Sequence, residues 1–243
     1  MAVDVLGGAA VVGSEVLYNL LVNRQLTQHA SSETEGEKPL TSAQRKKLLK
    51  DIGAHKDTPI IFAPKGADDY GQGSGYLDPD TAKEVMAAAP HSGKLIFGKK
   101  HKPAIEHGAI ITGRKANPAI LAHEAGHAAD IQQNKRSRWP YALGKLIAPL
   151  AGGIGGYYLG AQHGPLAGMG LGTLGTLALG SPVLWQEYQA SRRADEALGK
   201  DKKRNPWKRR SRLGAAFGTY LGAMAVPALA GGAIGAWRGG HFD

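Results

Sequence analysis

The chain has 243 residues, no cysteine, and 30 Lys and Arg against 20 Asp and Glu, a net charge of +10. The missing thiols exclude disulfides and thiolate metal sites, so any metal must be held by His and carboxylates. A basic excess admits nucleic acid, anionic lipid or an acidic protein as partner, and the 35 glycines sit mostly in long uncharged stretches, which is not the pattern of a flexible linker.

Met1 to Asn23 is apolar but carries Asp4 and Glu15 in place of a positive leader, so it reads as retained rather than cleaved. Residues 5–22 suit a membrane helix or an amphipathic helix packed on another, and Glu15 argues against a free-standing lipid-exposed span. His29 to Lys38 is a polar loop. The chain from Thr41 to Ile52 predicts a helix, with Thr41 or Ser42 as cap and Leu48, Leu49 and Ile52 on one face. Thr58–Ala63, Lys94–Gly98 and Ala109–Thr112 read as short strands, each β-branched or aromatic and bounded by Gly, Pro or charge. A Gly/Asp/Tyr-rich stretch from Gly66 to Pro79 and a helix from Asp80 to Ala88 lie between the first two.

The second half predicts helices. Asn117-Pro118 is a start signal, because Asn caps and Pro costs nothing at the first helical position; that helix should run to about Gln133. From Leu146 to Gln186 there is no Asp, Glu, Lys or Arg. This is too long for one span of roughly 20 residues, and Gly160 to Pro165 breaks it, so a helical hairpin through the bilayer is expected. Leu213 to Trp237 is a further apolar span. Glycines recur four apart, as in Gly152/Gly156/Gly160, Gly164/Gly168/Gly172 and Gly231/Gly235, spacing that lets helix backbones approach closely. The alternative is a set of buried helices in a soluble protein, which a chain of this size would struggle to cover on all sides. Lys135, Arg136 and Arg138 precede the hairpin, and Arg192, Arg193 and the run from Lys200 to Arg212 follow it. Both clusters then share one face, which the positive-inside rule makes cytoplasmic.

His123-Glu124-Ala125-Gly126-His127 lies on the helix opened by Asn117. Positions i and i+4 share a face, so both imidazoles can reach one Zn²⁺. Glu124 lies beside them, where it can act as general base toward metal-activated water. The bland alternative is a structural helix. Gly126 costs about 1 kcal/mol of helix propensity, so something requires its space. A catalytic zinc needs a third protein ligand and an open position. Six residues past His127 stands Gln133, which removes the spacing that supplies a third His. Glu187 is the first carboxylate after the hairpin and returns to the face where the His127 helix ends; the alternative is a capping or snorkelling charge at a membrane boundary. Ser191, one turn later, can support a His ligand.

HEAGH followed by a hydrophobic hairpin and then E-Y-Q-A-S-R-R-A resembles the gluzincin metallopeptidases, in particular the YugP-like neutral zinc metallopeptidases and the HtpX-like membrane proteases. The likeness covers mainly residues 108–198. It implies His123, His127 and Glu187 as ligands of one Zn²⁺ per chain, with Glu124 as general base. The HtpX-like motif has Asp where this chain has Ser191, which favours the YugP-like comparison. The resemblance also implies that a peptide adds as an extra strand along a sheet edge. Ala109–Thr112 is either that edge or an ordinary core strand. The transition-state electrophile is among Tyr188, Arg192, Arg193 and His107.

Lys99-Lys100-His101-Lys102 and residues 200–212 could grip phosphates, with Trp207 stacking a base. A basic run with Trp before an apolar helix better suits a membrane boundary with anionic headgroups. His29, His55, His91, His101 and His241 lack ligand spacing and read as solvated.

The expectation is therefore an α+β, mainly helical zincin-like core with a small sheet and Gly-rich transmembrane-type helices. Its segments are an apolar helix and polar loop (1–40), a small α+β region ending in the HExxH helix (41–145), the apolar hairpin (146–186), and a third-ligand helix, basic segment and last apolar helix (187–243). The expected function is a membrane-associated zinc metallopeptidase acting on peptide or protein, in contact with lipid and within a homo-oligomer or larger assembly. One alternative is a structural protein of such an assembly, for instance a phage virion or ejection protein entering the membrane, with an accessory or vestigial site. The other is a basic nucleic-acid-binding protein.

Overall fold

A computed structural model describes residues 40–62, 75–88, 101–112, 117–134, 139–200 and 205–242. The expected apolar helix at 5–22, the strand at 94–98 and the basic residues 135–138 lie outside them. The described residues are mostly helical and carry one small three-stranded sheet. Among the described residues it forms two compact units, one of 139–185 and 217–242, the other of 40–134 and 186–216.

In the second unit, helix α1 (Ser42–Ile52) begins at Thr41, whose hydroxyl accepts from the Gln44 N–H while the Gln44 side chain accepts from the Thr41 N–H. This reciprocal pair satisfies donors that a helix start leaves open. The helix ends at Gly53, whose φ of 92° a side chain would resist. Strand β1 (Ile60–Phe62), strand β2 (Gly75–Leu77) and helix α2 (Pro79–Ala88) follow. Helix α3 (His101–His107) leads through Gly108, at φ 74°, into strand β3 (Ala109–Thr112). β3 is the central strand, parallel to β1 and antiparallel to β2. Of the two readings of Ala109–Thr112, edge or core strand, the sheet bears out the core strand: both its sides are paired, and among the described residues β1 and β2 lie outermost. Ile110 is fully buried, the fate of a core strand.

Helix α4 (Pro118–Asn134) carries the HExxH sequence. Asn117 caps it, its side-chain oxygen accepting from the N–H groups of Ala119 at 2.9 Å and Ile120 at 3.0 Å. Ala119, Ala122, Ala125, Ala128 and Ala129 line its buried face, where Leu48, Leu49, Ile52, Ile60 and Ile110 meet them. Small side chains along this helix bring its neighbours close.

In the first unit, helix α5 (Trp139–His163) turns at Gly164 into a π-helical segment (Leu166–Leu171) that continues as helix α6 (Gly172–Gly199). Helix α7 (Pro206–Arg238) is the last; α6 and α7 extend beyond this unit. The break falls where Gly160 to Pro165 places it. The helices of this unit meet through glycine. A Cβ on Gly156 would lie 2.6 Å from the Ala228 carbonyl oxygen, and one on Gly168 2.6 Å from Gly160 Cα. Leucines face outward instead, with Leu146, Leu166, Leu171, Leu174 and Leu179 all exposed. Two helical stretches, Leu166–Gly199 and Pro206–Arg238, are long and apolar enough to cross a membrane. Only 28% and 33% of their most apolar windows are buried, where a soluble core helix would be mostly covered. Helix α5, the expected first arm of the hairpin, is not among the apolar spans.

Packing of this kind predicts two opposite outcomes for glycine replacement. Gly156→Leu drives a side chain into backbone and should destabilise the purified chain by at least the overpacking cost of about 1–3 kcal/mol. Gly170→Ala and Gly175→Ala, where an added Cβ meets nothing within 4 Å, should be neutral or slightly stabilising. Thermal melts in one detergent check both.

Candidate metal centre

The site lies within the second unit, on α4 and on the part of α6 from Gln186 onward. Two rows of side chains face each other, His123, Gly126, His127 and Asp130 on α4 and Glu187, Ala190, Ser191 and Ala194 on α6. Each row follows the i, i+3, i+4, i+7 spacing of one helix face. The tightest point is Gly126, where a Cβ would lie 2.7 Å from both Ala190 Cα and Ala190 O. The space that Gly126 keeps free is thus filled by the backbone of the other helix. Arg193 Nη2 lies 3.7 Å from Asp130 Oδ1, and Arg193 also donates to Gln133 at 3.2 Å.

At the centre three donor atoms form a triangle. His123 Nε2 is 3.2 Å from Glu187 Oε2, His127 Nε2 is 3.2 Å from the same oxygen, and the two Nε2 atoms are 3.2 Å apart. The imidazole planes are perpendicular. Glu187 is 0% exposed and His123 2%. Burying a carboxylate without compensation is costly, and a single proton can bridge only one edge of such a triangle. A divalent cation satisfies all three corners at once. Tetrahedral ligands at about 2.0–2.1 Å from a metal stand roughly 3.3 Å from each other, so the spacing fits. His123, His127 and Glu187 therefore lie close enough to bind a metal ion.

Glu124, 7% exposed, lies next to this group. Burial raises its pKa above the ordinary carboxylate value, and the nearby Glu187 charge adds to that. The His123 and His127 imidazoles and the backbone N–H of Tyr76 oppose the rise without cancelling it. Burial alone would lower the pKa of His127. The Glu187 carboxylate, by charge and hydrogen bond, reverses this and holds it above the ordinary imidazole value. Ser191 Oγ lies 3.1 Å from His123 Nδ1.

The residues proposed as electrophile have other partners. Arg192 pairs with Glu196 at 2.8 Å, Arg193 with Asp130, and His107 stacks on His55 with ring centroids 3.7 Å apart. Tyr188 is half exposed. Two contributors escape the sequence reading. Tyr76 reaches Glu124 through its main chain, which no side-chain pattern encodes. Asp130 does stand seven residues after His123, so helical periodicity could have found it. Comparison with protein-family models, curated proteins and solved structures gives no match.

Metal content per chain, measured after dialysis against a trace-metal buffer, should be near one for the native sequence and near zero for His123→Ala and Glu187→Ala. Gly126→Leu alters no donor but pushes Ala190 away, and should lose metal as well. Retention by Gly126→Leu would mean that helix spacing does not set the triangle.

Proposed function

We propose that the chain is a membrane-associated zinc metallopeptidase of gluzincin type. The observation that carries this reading is the buried triangle of His123, His127 and Glu187 with Glu124 beside it. The donor set of two imidazoles and one carboxylate suits zinc and leaves a corner free. When bound, the ion supplies Lewis-acid chemistry that polarises a carbonyl and makes water a nucleophile near neutral pH. Glu124 accepts a proton on a carboxylate oxygen and hands it to the leaving amine. A pKa raised by burial suits a group that must hold that proton between the two events. A peptide adds along β2, since β3 is paired on both sides and β2, outermost among the described residues, is the strand whose Tyr76 N–H reaches Glu124.

Glu124→Gln keeps the shape of the side chain but cannot take up the proton. Hydrolysis of casein or of a quenched fluorescent peptide library should fall by about 10²–10⁴, while metal content stays at the native level. Chelator should abolish the native activity. Metal retained with no hydrolysis by the native chain would favour a structural protein with a vestigial site.

The exposed leucines and glycine-lined helix contacts support insertion in a bilayer, and the basic residues flanking the apolar helices support a cytoplasmic metal centre. The native chain has no cysteine, so single introduced cysteines report sidedness cleanly. In intact cells Gln162→Cys should react with a membrane-impermeant maleimide and Lys200→Cys should react only after permeabilisation. The reverse pattern would place the centre on the outer face.

A further inference from the structure

Outside the metal centre a second pair of imidazoles meets. His55, expected from the sequence to stand in solvent, stacks on His107 with ring centroids 3.7 Å apart and planes 20° from parallel. The rings come from different segments, one from the turn between α1 and β1 and the other from the end of α3. Each has a carboxylate of its own segment beside it. Asp57 Oδ2 lies 4.0 Å from His55 Nδ1, and Glu106 Oε2 lies 3.8 Å from His107 Nε2. From the other elements packed here come the neutral amide of Gln132 on α4 and the Tyr76 phenol on β2, which donates to the His107 carbonyl at 2.8 Å. Gln132 accepts from the His55 N–H and donates to the His107 carbonyl. The stack and this one side chain therefore tie together the same two segments, and Gln132 stands on α4 five residues after His127.

We propose that the His55–His107 stack is an acid-sensitive clasp that steadies the C-terminal half of α4. Neutral rings pack face to face. His55 Nδ1 accepts from the Asp57 N–H at 3.3 Å, so the neutral ring carries its hydrogen on Nε2. A proton added at Nδ1 removes that acceptor and turns the ring toward the Asp57 carboxylate instead. A proton on His107 likewise draws its ring to Glu106. Two charged rings repel at this spacing, and their carboxylates lie on separate segments, so charge pulls the clasp apart. The two side chains keep 44% and 25% of their surface in solvent, which admits protons without unfolding. The parted form binds protons that the stacked form excludes. The clasp therefore holds above the range in which imidazoles titrate, about pH 5–8, and opens as pH falls through it. Opening withdraws the His55 N–H and the His107 carbonyl from Gln132, and takes the same carbonyl from the Tyr76 hydroxyl.

Hydrogen exchange of the full chain in detergent, stripped of metal, reads the clasp directly. Protection of residues 53–58 and 128–134 is compared at about pH 7.5 and about pH 5.5, corrected for the intrinsic exchange rate. One extra proton bound on opening shifts the equilibrium about tenfold per pH unit, so native protection should fall by about tenfold or more. His123 and His127 titrate in every chain compared, so differences between chains isolate the clasp. His55→Phe with His107→Phe keeps two rings that cannot take protons, and should lose about tenfold less protection than native over the same step. Asp57→Asn with Glu106→Gln removes the charges that draw the rings apart, and should move the loss to lower pH. This second chain decides the matter where the ring replacement does not fold. Native protection equal at both pH values would overturn the clasp. So would a ring-replaced chain that loses as much as native, or a loss at unchanged pH without the two carboxylates. None of these readouts uses bound metal or hydrolysis, so their failure leaves the metallopeptidase reading untouched.

Discussion

The burial of the Glu187 carboxylate against two imidazoles is the constraint from which the rest of the second unit follows. A carboxylate at 0% exposure has to be compensated where it stands, because no solvent reaches it. Its partners come from a different helix, so α4 and α6 must meet at a fixed distance and rotation. That requirement explains the small residues around it. Ala125 and Gly126 on one helix, and Ala190 and Ala194 on the other, let the axes approach until backbone meets backbone. Gly126 costs helix propensity of about 1 kcal/mol, and the close approach it permits is what brings a carboxylate oxygen within 3.2 Å of both rings.

The same constraint explains why the helix ends are so well specified. Fraying of α4 would let His123 drift, since His123 lies within two turns of its start. Asn117 therefore does more than stop the helix from unwinding: its two bonds to Ala119 and Ile120 set the phase of every residue downstream. At the other end, Gln132 donates to the His107 carbonyl at 2.6 Å and to Thr58 at 3.0 Å, and accepts from the His55 N–H at 2.7 Å. One side chain thus ties α4 to the beginnings of β1 and β3. Among the described residues the sheet is three short strands, which hold this helix and bring the Tyr76 N–H to Glu124.

Much of this was legible in the sequence, for reasons that differ by element. The start of α4 follows from Asn117-Pro118, and the pairing of His123 with His127 on one face from its own spacing. Glu187 stood out because 41 uncharged residues, Leu146 to Gln186, precede it, so its position along the chain was conspicuous even though its distance in space was not. The helix at 101–107 was missed because its first residues belong to a lysine cluster that reads as a charged surface, while the buried Ala104 gives no periodic signal alone. Strand β2 was missed because Gly75-Tyr76-Leu77 is too short for alternation to register. The edge or core status of β3 could not be read from Ala-Ile-Ile-Thr, since four apolar residues fit a strand paired on one side or on two. That distinction lies in which distant segments pair with it.

The first unit solves a different packing problem with the same small residues. In water, a bundle with glycine inside and leucine outside forfeits the burial that normally drives helices together, since about 25 cal/mol is gained for each Å² of apolar surface covered. Leu166 at 90% exposure is the opposite of what that drive selects. In a bilayer the drive is absent, because lipid tails cover leucine as well as another helix does. What remains is the close contact of backbone with backbone, as between Gly156 and Gly168 or Gly231 and Gly153, and only glycine admits it. Gly126 and Gly156 therefore answer to one geometric rule, the close approach of two helix backbones. In the second unit close approach places donor atoms; in the first it sets backbone against backbone and leaves the leucines outside.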